Sequence, residues 1–434
     1  MAQALGQQRY KCALGAIQTV HAINRAIPIL HSGGGCAGKI DDTFGNSGYI
    51  SPQLYPCTFL GEKEIVFGGN NKLNDLIQNT LKIMDGDLYV VLTGCAAEII
   101  GDDIDELIPN YKNGEKPVIA VKTPGFKGNN YISHDWVLKG IFDRLVVKTD
   151  KKQKGLVNIF AGPPYQDLFW EGNLRALEKL VSLLGLTPNT IFGHARGIEN
   201  IKRLGEAEFT VLVSPWVGLK SAKYLEEEFG VPLLHYENLP MGAYESSKFL
   251  RAVGEFAGLD SGFVETVIKE REAEYYYYVE RFAPVFLELR IMSKYFVTVS
   301  DAQYAVAATR FLVNDMGMFP AKIYVTDNTP EIYRGGVIKA ANDLNYGVTA
   351  EVLFSTDGYA IHDDIEKMNF GGHPMVFGSG WERFLAEKIH GHFLAISYPI
   401  EDKLIMNKTY VGYDGGLGFI GDFYSVGLSQ SSIQ

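Results

Sequence analysis

Short apolar runs recur along this chain, each closed by a glycine-bearing or polar turn and followed by a stretch with helical spacing of apolar residues. Ile27-Pro-Ile-Leu30 leads into His31-Ser-Gly-Gly-Gly-Cys36. Leu88-Tyr-Val-Val-Leu92 leads into Thr93-Gly-Cys95 and then Ala-Ala-Glu-Ile-Ile-Gly-Asp-Asp103, where Gly101 kinks or breaks a helix. Pro117-Val-Ile-Ala-Val-Lys122 reads as a third strand with residues 123–126 as its turn. In a second block, Leu156-Val-Asn-Ile-Phe160, a run ending at Phe192-Gly193, Phe209-Thr-Val-Leu-Val213 and Pro232-Leu-Leu-His235 read as strands. Helices are predicted there over residues 172–185, from Ser214-Pro215 to about Phe229, and over 244–290. The third block repeats the pattern. Its strands are Tyr295-Phe-Val-Thr-Val299, Ile323-Tyr-Val-Thr326, residues 348–354, Pro374-Met-Val-Phe377 and Phe393-Leu-Ala-Ile396, with helices capped by Ser300-Asp301 and near 331–344 and 380–390. Strands alternating with helices throughout predict an α/β protein of three doubly wound, mainly parallel-sheet domains, at 1–150, 151–290 and 291–434. The charged run at 148–155 marks the first boundary and otherwise reads as a solvated loop.

Composition narrows this picture. The 434 residues suit two or three domains, and 46% hydrophobic with 21% charged residues is the balance of a folded chain with a large core. No apolar run approaches the roughly 20 residues that cross a bilayer, and none resembles a secretory signal, so a cytoplasmic chain with reduced thiols and no membrane partner is expected. A net charge of −11 without any basic block argues against nucleic acid.

All four cysteines, Cys12, Cys36, Cys57 and Cys95, fall in the first hundred residues. The bland reading makes them buried small hydrophobes, and their spacings match neither a zinc ribbon nor a ferredoxin run. Two of them, however, follow strand-to-glycine turns, which lie at the carboxyl edge of a parallel sheet where ligands collect. Gly33, Gly34 and Gly35 before Cys36 let backbone N–H groups approach a bulky anionic ligand, and the sulfides of a cluster are such a ligand. Several thiols delivered to one crevice suggest a metal or iron–sulfur site rather than a disulfide framework. The candidate cofactor-contacting positions are His31, Gly34, Gly35 and Gly94, with His31 expected to hold the Cys36 loop by a hydrogen bond. His194 reads as structural, and Gly391 between His390 and His392 argues against a metal pair. Asp102 and Asp103 are explained as caps more simply than as an acid pair. The four tyrosines from Tyr275 to Tyr278 cannot all face one side of a helix and suggest packing at a helix or subunit interface. No dinucleotide fingerprint, Walker loop or nucleophile elbow occurs in a convincing context.

The motifs together resemble the nitrogenase component 1 family. The similarity is to its β subunits, in the molybdenum–iron protein and its alternative or nitrogenase-like relatives such as methylthioalkane reductase. The matching segments are Cys12-Ala-Leu-Gly-Ala16, His31-Ser-Gly-Gly-Gly-Cys36, Val66-Phe-Gly-Gly69 and Thr93-Gly-Cys-Ala-Ala-Glu-Ile-Ile-Gly-Asp-Asp103. Toward the carboxyl end they are Ile396-Ser-Tyr-Pro-Ile400 and Gly412-Tyr-Asp-Gly-Gly-Leu417. The resemblance implies an α-like partner in an α2β2 assembly and an interfacial P-cluster of eight irons and seven sulfurs, or a four-iron four-sulfur cluster in some relatives. It implies Cys12, Cys36 and Cys95 as the ligands from this side, with Cys57, in the loop between them, ranking behind. It further implies an ATP-dependent iron protein as electron donor and a catalytic metallocluster in the partner. No cysteine follows Cys95, so this chain lacks the distal cysteine that would anchor such a metallocluster. The family's Thr-Pro-Ser-Phe turn reads Thr123-Pro-Gly-Phe126 here, removing a serine that can ligate the oxidised cluster, and Lys39 stands near a usual aromatic. These departures favour a nitrogenase-like or alternative enzyme. A scaffold on which the nitrogenase cofactor matures remains the alternative reading.

Overall fold

A computed structural model describes residues 7–45, 55–111, 114–289 and 294–431. Its twelve strands form three sheets, and every pair of named strands is parallel. The first sheet has the order β1 (Ala26–His31), β2 (Leu88–Thr93), β3 (Val118–Lys122). The second is ordered β5 (Thr187–Asn189), β4 (Gln153–Phe160), β6 (Ala207–Val213), β7 (Leu233–Tyr236). The third runs β10 (Val352–Phe354), β9 (Phe319–Val325), β8 (Tyr295–Ser300), β11 (Met375–Gly378), β12 (His392–Ala395). Every residue of β2, Leu-Tyr-Val-Val-Leu-Thr, is buried, the composition of a parallel strand covered on both faces. The α/β architecture of three parallel sheets is thus as the sequence predicts.

One hydrophobic cluster runs from Leu14 through Phe160, Phe249 and Phe377 to Phe423, so the three sheets share a continuous core. Two long-range ties cross it. Arg9 near the amino terminus pairs with the buried Glu382. Arg310 in the helix Ala302–Asn314 reaches Glu245 Oε1 at 2.7 Å in the helix Gly242–Phe256. The last helix, Gly412–Ser431, crosses that same helix closely: a Cβ on Gly416 would lie 2.4 Å from Gly242 Cα.

Several boundaries differ from expectation. Ser214-Pro215 does not open the helix, which begins at Leu219. Gly218 stands at φ +82° and ends a turn in which Trp216 and Val217 are buried and Trp216 Nε1 donates to Asp327. The long helix expected over 244–290 is two, Gly242–Phe256 and Ser261–Leu289, separated where Gly258 takes φ +63° and Asp260 Oδ1 receives Phe263 N. Of the four tyrosines, Tyr275 faces the core and the next three are half exposed. The strand expected to end at Gly193 stops at Asn189, and β4 starts inside the charged 148–155 run.

Candidate metal centre

Three strand tips of the first sheet build the site. β1 and β2 pair in parallel with His31 opposite Thr93, so the residues that follow them leave the same edge. After β1 the chain turns through Gly33 and enters the helix Gly34–Gly45, with Cys36 in its first turn and Cys36 N bonded to Gly33 O at 3.2 Å. After β2, Gly94 is extended and Cys95 opens the helix Cys95–Ile100. After β3, Thr123 is pinned to β2 through Thr123 Oγ1 to Thr93 O (2.9 Å), which sets Gly125 against the second cysteine: Gly125 N donates to Cys95 Sγ at 3.1 Å. Cys12 arrives from before β1. It sits in extended backbone bridged to Asn129, with Lys11 N donating to Asn130 Oδ1 at 2.8 Å.

Gly125 reports how closely Cys12 and Cys95 approach. A Cβ there would lie 3.3 Å from Cys12 Cβ, 3.4 Å from Cys95 Sγ and 4.0 Å from Cys12 Sγ. Burial pushes the Cys12 thiol above its ordinary pKa, and the neighbouring thiols of Cys36 and Cys95 push it further. Cys12 is nonetheless exposed at one side, while Cys36, Cys57 and Cys95 are half-buried. Cys57 is engaged locally: its Sγ donates to Ser32 O (3.5 Å) and accepts from Phe59 N (3.4 Å).

His31 is buried, with Nε2 bonded to Asp102 Oδ2 at 2.9 Å and Nδ1 to Thr58 Oγ1 at 3.2 Å. Burial lowers its pKa, against the opposing pull of Asp102. Asp102 also accepts from Gly69 N at 2.8 Å, and a Cβ on Gly69 would come within 2.6 Å of Asp102 Oδ2 and 3.0 Å of His31 Cε1. His31 therefore ties the start of the Cys36 loop to both the Gly69 turn and the end of the Cys95 helix. Asp103 caps the next short helix through Asp105 N and Glu106 N, and Gly101 takes φ +77° as a helix end. The glycines divide. The space beside Gly34 and Gly94 is taken by this chain's own Phe59 ring (2.6 Å) and Ser32 Oγ (2.1 Å), whereas Gly35 faces open space. Ser32 Oγ is buried and has no hydrogen-bond partner. The link between Gly69 and Asp102 escapes sequence reasoning, because nothing local marks which of many glycines meets which acid.

Among the described residues, no three His, Cys, Asp or Glu side chains converge closely enough to hold a single metal ion. The donors at this edge are thiols alone, because His31 is committed to Asp102. Soft sulfur donors, with Cys12 open to one side, suit an iron–sulfur cluster and do not suit a hard cation. Exposed apolar side chains stand on the surrounding elements: Phe59, Val66 and Phe67 (71% and 82% exposed), Ile99 and Phe126. Elsewhere, His194 is exposed, and His373 Nδ1 bonds His390 O rather than a metal. A cavity of about 750 Å³ lies between the helices Trp170–Leu183, Ser261–Leu289 and Gly412–Ser431, but its Arg175, Arg196 and Arg271 are paired with Glu171, Glu178 and Glu274.

The fold has a solved counterpart. The solved structure of nitrogenase Cp1 at pH 6.5 matches with a TM-score of 0.82 over 99% of this chain and 95% of that one, at 18% identity. The family follows. The model of nitrogenase component 1 type oxidoreductases matches residues 12–426, and the chain belongs to that family. It is 23% identical over 441 residues to the nitrogenase molybdenum-iron protein beta chain of Methanococcus maripaludis, covering 94% of this chain and 90% of that one. It is 25% identical over 448 residues to the beta chain of Azotobacter vinelandii, covering 93% and 80%. Within the family it is a beta-like chain, as the sequence motifs predict.

Proposed function

We propose that this chain holds one half of an interfacial iron–sulfur cluster through Cys12, Cys36 and Cys95, facing an α-like component 1 subunit in an α2β2 assembly. In this reading it relays electrons from an ATP-dependent iron protein toward a catalytic metallocluster in that partner, working in the cytoplasm where thiols stay reduced. The observation that carries the reading is the contact at Gly125, where Cys12 Cβ and Cys95 Sγ both come within 3.4 Å of the point a Cβ would occupy.

The cluster, when bound, supplies one-electron transfer. The chain's own residues do the rest. The Gly125 N–H at Cys95 Sγ withdraws electron density from that sulfur, a contribution that raises a cluster's potential. Ser32 Oγ is a buried donor left free beside Gly94. The His31–Asp102–Gly69 linkage fixes the Cys36 and Cys95 elements against each other. The exposed Phe59, Val66, Phe67, Ile99 and Phe126 offer apolar surface for a partner that would exclude water from the thiols. Cys57, bonded to Ser32 O and Phe59 N, stays outside the ligand set. On the same reading the chain is three domains, 1–150, 151–290 and 291–434, each built on one sheet.

The test is iron analysis of the complex purified without oxygen. About eight irons per interface supports the P-cluster, and about four supports a four-iron cluster of a simpler reductase or a maturation scaffold. Iron that persists when Cys12, Cys36 and Cys95 are replaced by alanine, or no iron at all, sinks the relay.

A further inference from the structure

Away from the thiols, elements of all three sheets meet around a small buried cavity. Asp301 follows β8, Asp327 lies two residues beyond β9, Asp167 sits in the loop after β4, and Ser214 follows β6. Tyr131, from the helix after β3, closes the remaining side. The three aspartates are all buried, and among the described residues no lysine, arginine or histidine pairs with any of them. The buried amine of Lys11 is turned instead to Gln166 Oε1 (2.9 Å) and the face of Tyr398.

The carboxylates are held by neutral donors only. Asp167 Oδ1 accepts from Phe169 N (2.9 Å) and Tyr304 OH (3.0 Å), and Oδ2 from Asn173 Nδ2 and Gln303 Nε2 (both 2.9 Å). Asp327 Oδ2 accepts from Trp216 Nε1 and Ala302 N (both 3.0 Å), and Oδ1 from Thr329 Oγ1. Asp301 accepts from Ser397 Oγ (2.6 Å) on Oδ2 and Tyr304 N (3.1 Å) on Oδ1, leaving a lone pair on each oxygen. Two residues that line the cavity, 0% and 7% exposed, each carry an oxygen with no partner: Ser214 Oγ and Gln303 Oε1. The bond from Gln303 Nε2 to Asp167 fixes that amide, and Gly162 leaves room for Oε1, which a Cβ there would meet at 2.6 Å.

We propose that this cavity binds one alkali-metal cation, held by the Asp301 carboxylate together with Ser214 Oγ and Gln303 Oε1. Buried anions without a counter-ion are costly, and the filled oxygens of Asp167 leave no site for a neutralising proton there. The volume, about 10 Å³, admits one water-sized body. That excludes magnesium, which keeps several of its waters, and one carboxylate with open lone pairs is less negative charge than calcium sites gather. A single positive charge offsets one of the three buried carboxylates.

The test is thermal unfolding of the full-length protein in sodium, potassium or choline chloride at equal ionic strength of about 0.15 M. The expected result is a midpoint raised by a few degrees in one alkali salt, saturating with concentration as single-site binding does. Ser214→Ala, which removes a hydroxyl that has no other partner, keeps the choline midpoint and loses the alkali increment. Crystals soaked in rubidium chloride show an anomalous peak in the cavity. Equal midpoints in all three salts, or an increment untouched by Ser214→Ala, overturn the proposal. So does a midpoint indifferent to cation that falls as pH rises through about 7, the value to which burial and the neighbouring Asp327 and Asp167 push Asp301, because a proton then fills the role. None of these readouts depends on iron, so this site and the thiol site stand or fall separately.

Discussion

Gly125→Ala separates the cost of folding from the cost of holding iron. The added methyl would sit 3.3 Å from Cys12 Cβ and 3.4 Å from Cys95 Sγ, which obliges both cysteines to yield by a few tenths of an ångström. Gly125 is not in the left-handed region, so alanine meets no backbone penalty. Crowding of this kind costs about 1–3 kcal/mol. The lost freedom of the unfolded chain returns about 0.4–1 kcal/mol. The net destabilisation is below about 3 kcal/mol, too small to unfold a chain with one core running through three sheets. A displacement of that size is large on the scale of an iron–sulfur bond, so the expected loss is in iron retention and in the cluster's spectrum. Gly125→Val, with two further methyls, should lose more iron and more stability than the alanine variant. The assay pairs iron per interface and visible absorbance, measured without oxygen, with a circular-dichroism melt of the same sample. Wild-type iron and spectrum in both variants would refute a shared site bounded by Cys12 and Cys95.

Other expectations follow from the same geometry. Asp102→Ala removes the acceptor for His31 Nε2 and Gly69 N at a cost of about 1–3 kcal/mol, and hydrogen exchange should rise around residues 60–70 while the other two sheets stay protected. Glu382 is held down to about 2: burial alone would raise it, but Arg9 and His362 outweigh that. Its stabilisation is therefore present above the ordinary carboxyl value of 4.5 and lost as pH falls toward 2, so Arg9→Ala should flatten the acid limb of the stability curve and cost about 3–5 kcal/mol near neutrality. Gly416→Ala places a methyl 2.4 Å from Gly242 Cα, and a lowered melting temperature is expected, with full iron in the fraction that folds.

The alternation of strands and helices was legible because parallel strands covered on both faces leave unbroken apolar runs, of which β2 is the clearest. The cysteine turns were legible for a related reason: Gly33 to Gly35 and Gly94 punctuate the strand tips that the topology brings to one edge. What sequence could not supply is contact between distant segments. Ser214-Pro215 is a sound helix-start signal, yet the chain spends those residues on burying Trp216 against Asp327, and Gly218 delays the helix. The 244–290 stretch keeps helical spacing across Gly258, so only the backbone angle reveals the break. Asp167, Asp301 and Asp327 are widely separated acids, and nothing near each of them says that they share a cavity. Gly34 and Gly94 were read as cofactor-contacting positions, and the space a side chain would take there is filled by Phe59 and Ser32 of the same chain.

The closing helix Gly412–Ser431 lies across a helix encoded far earlier, and its Gly416 touches Gly242. During synthesis the helix Gly242–Phe256 can pack on the next helix, Ser261–Leu289, at once, but its face toward Gly416 stays uncovered until Gly412–Ser431 has been made. A nascent chain in that interval presents hydrophobic surface to chaperones and proteases. Truncation before Gly412 would carry that vulnerability into the finished protein.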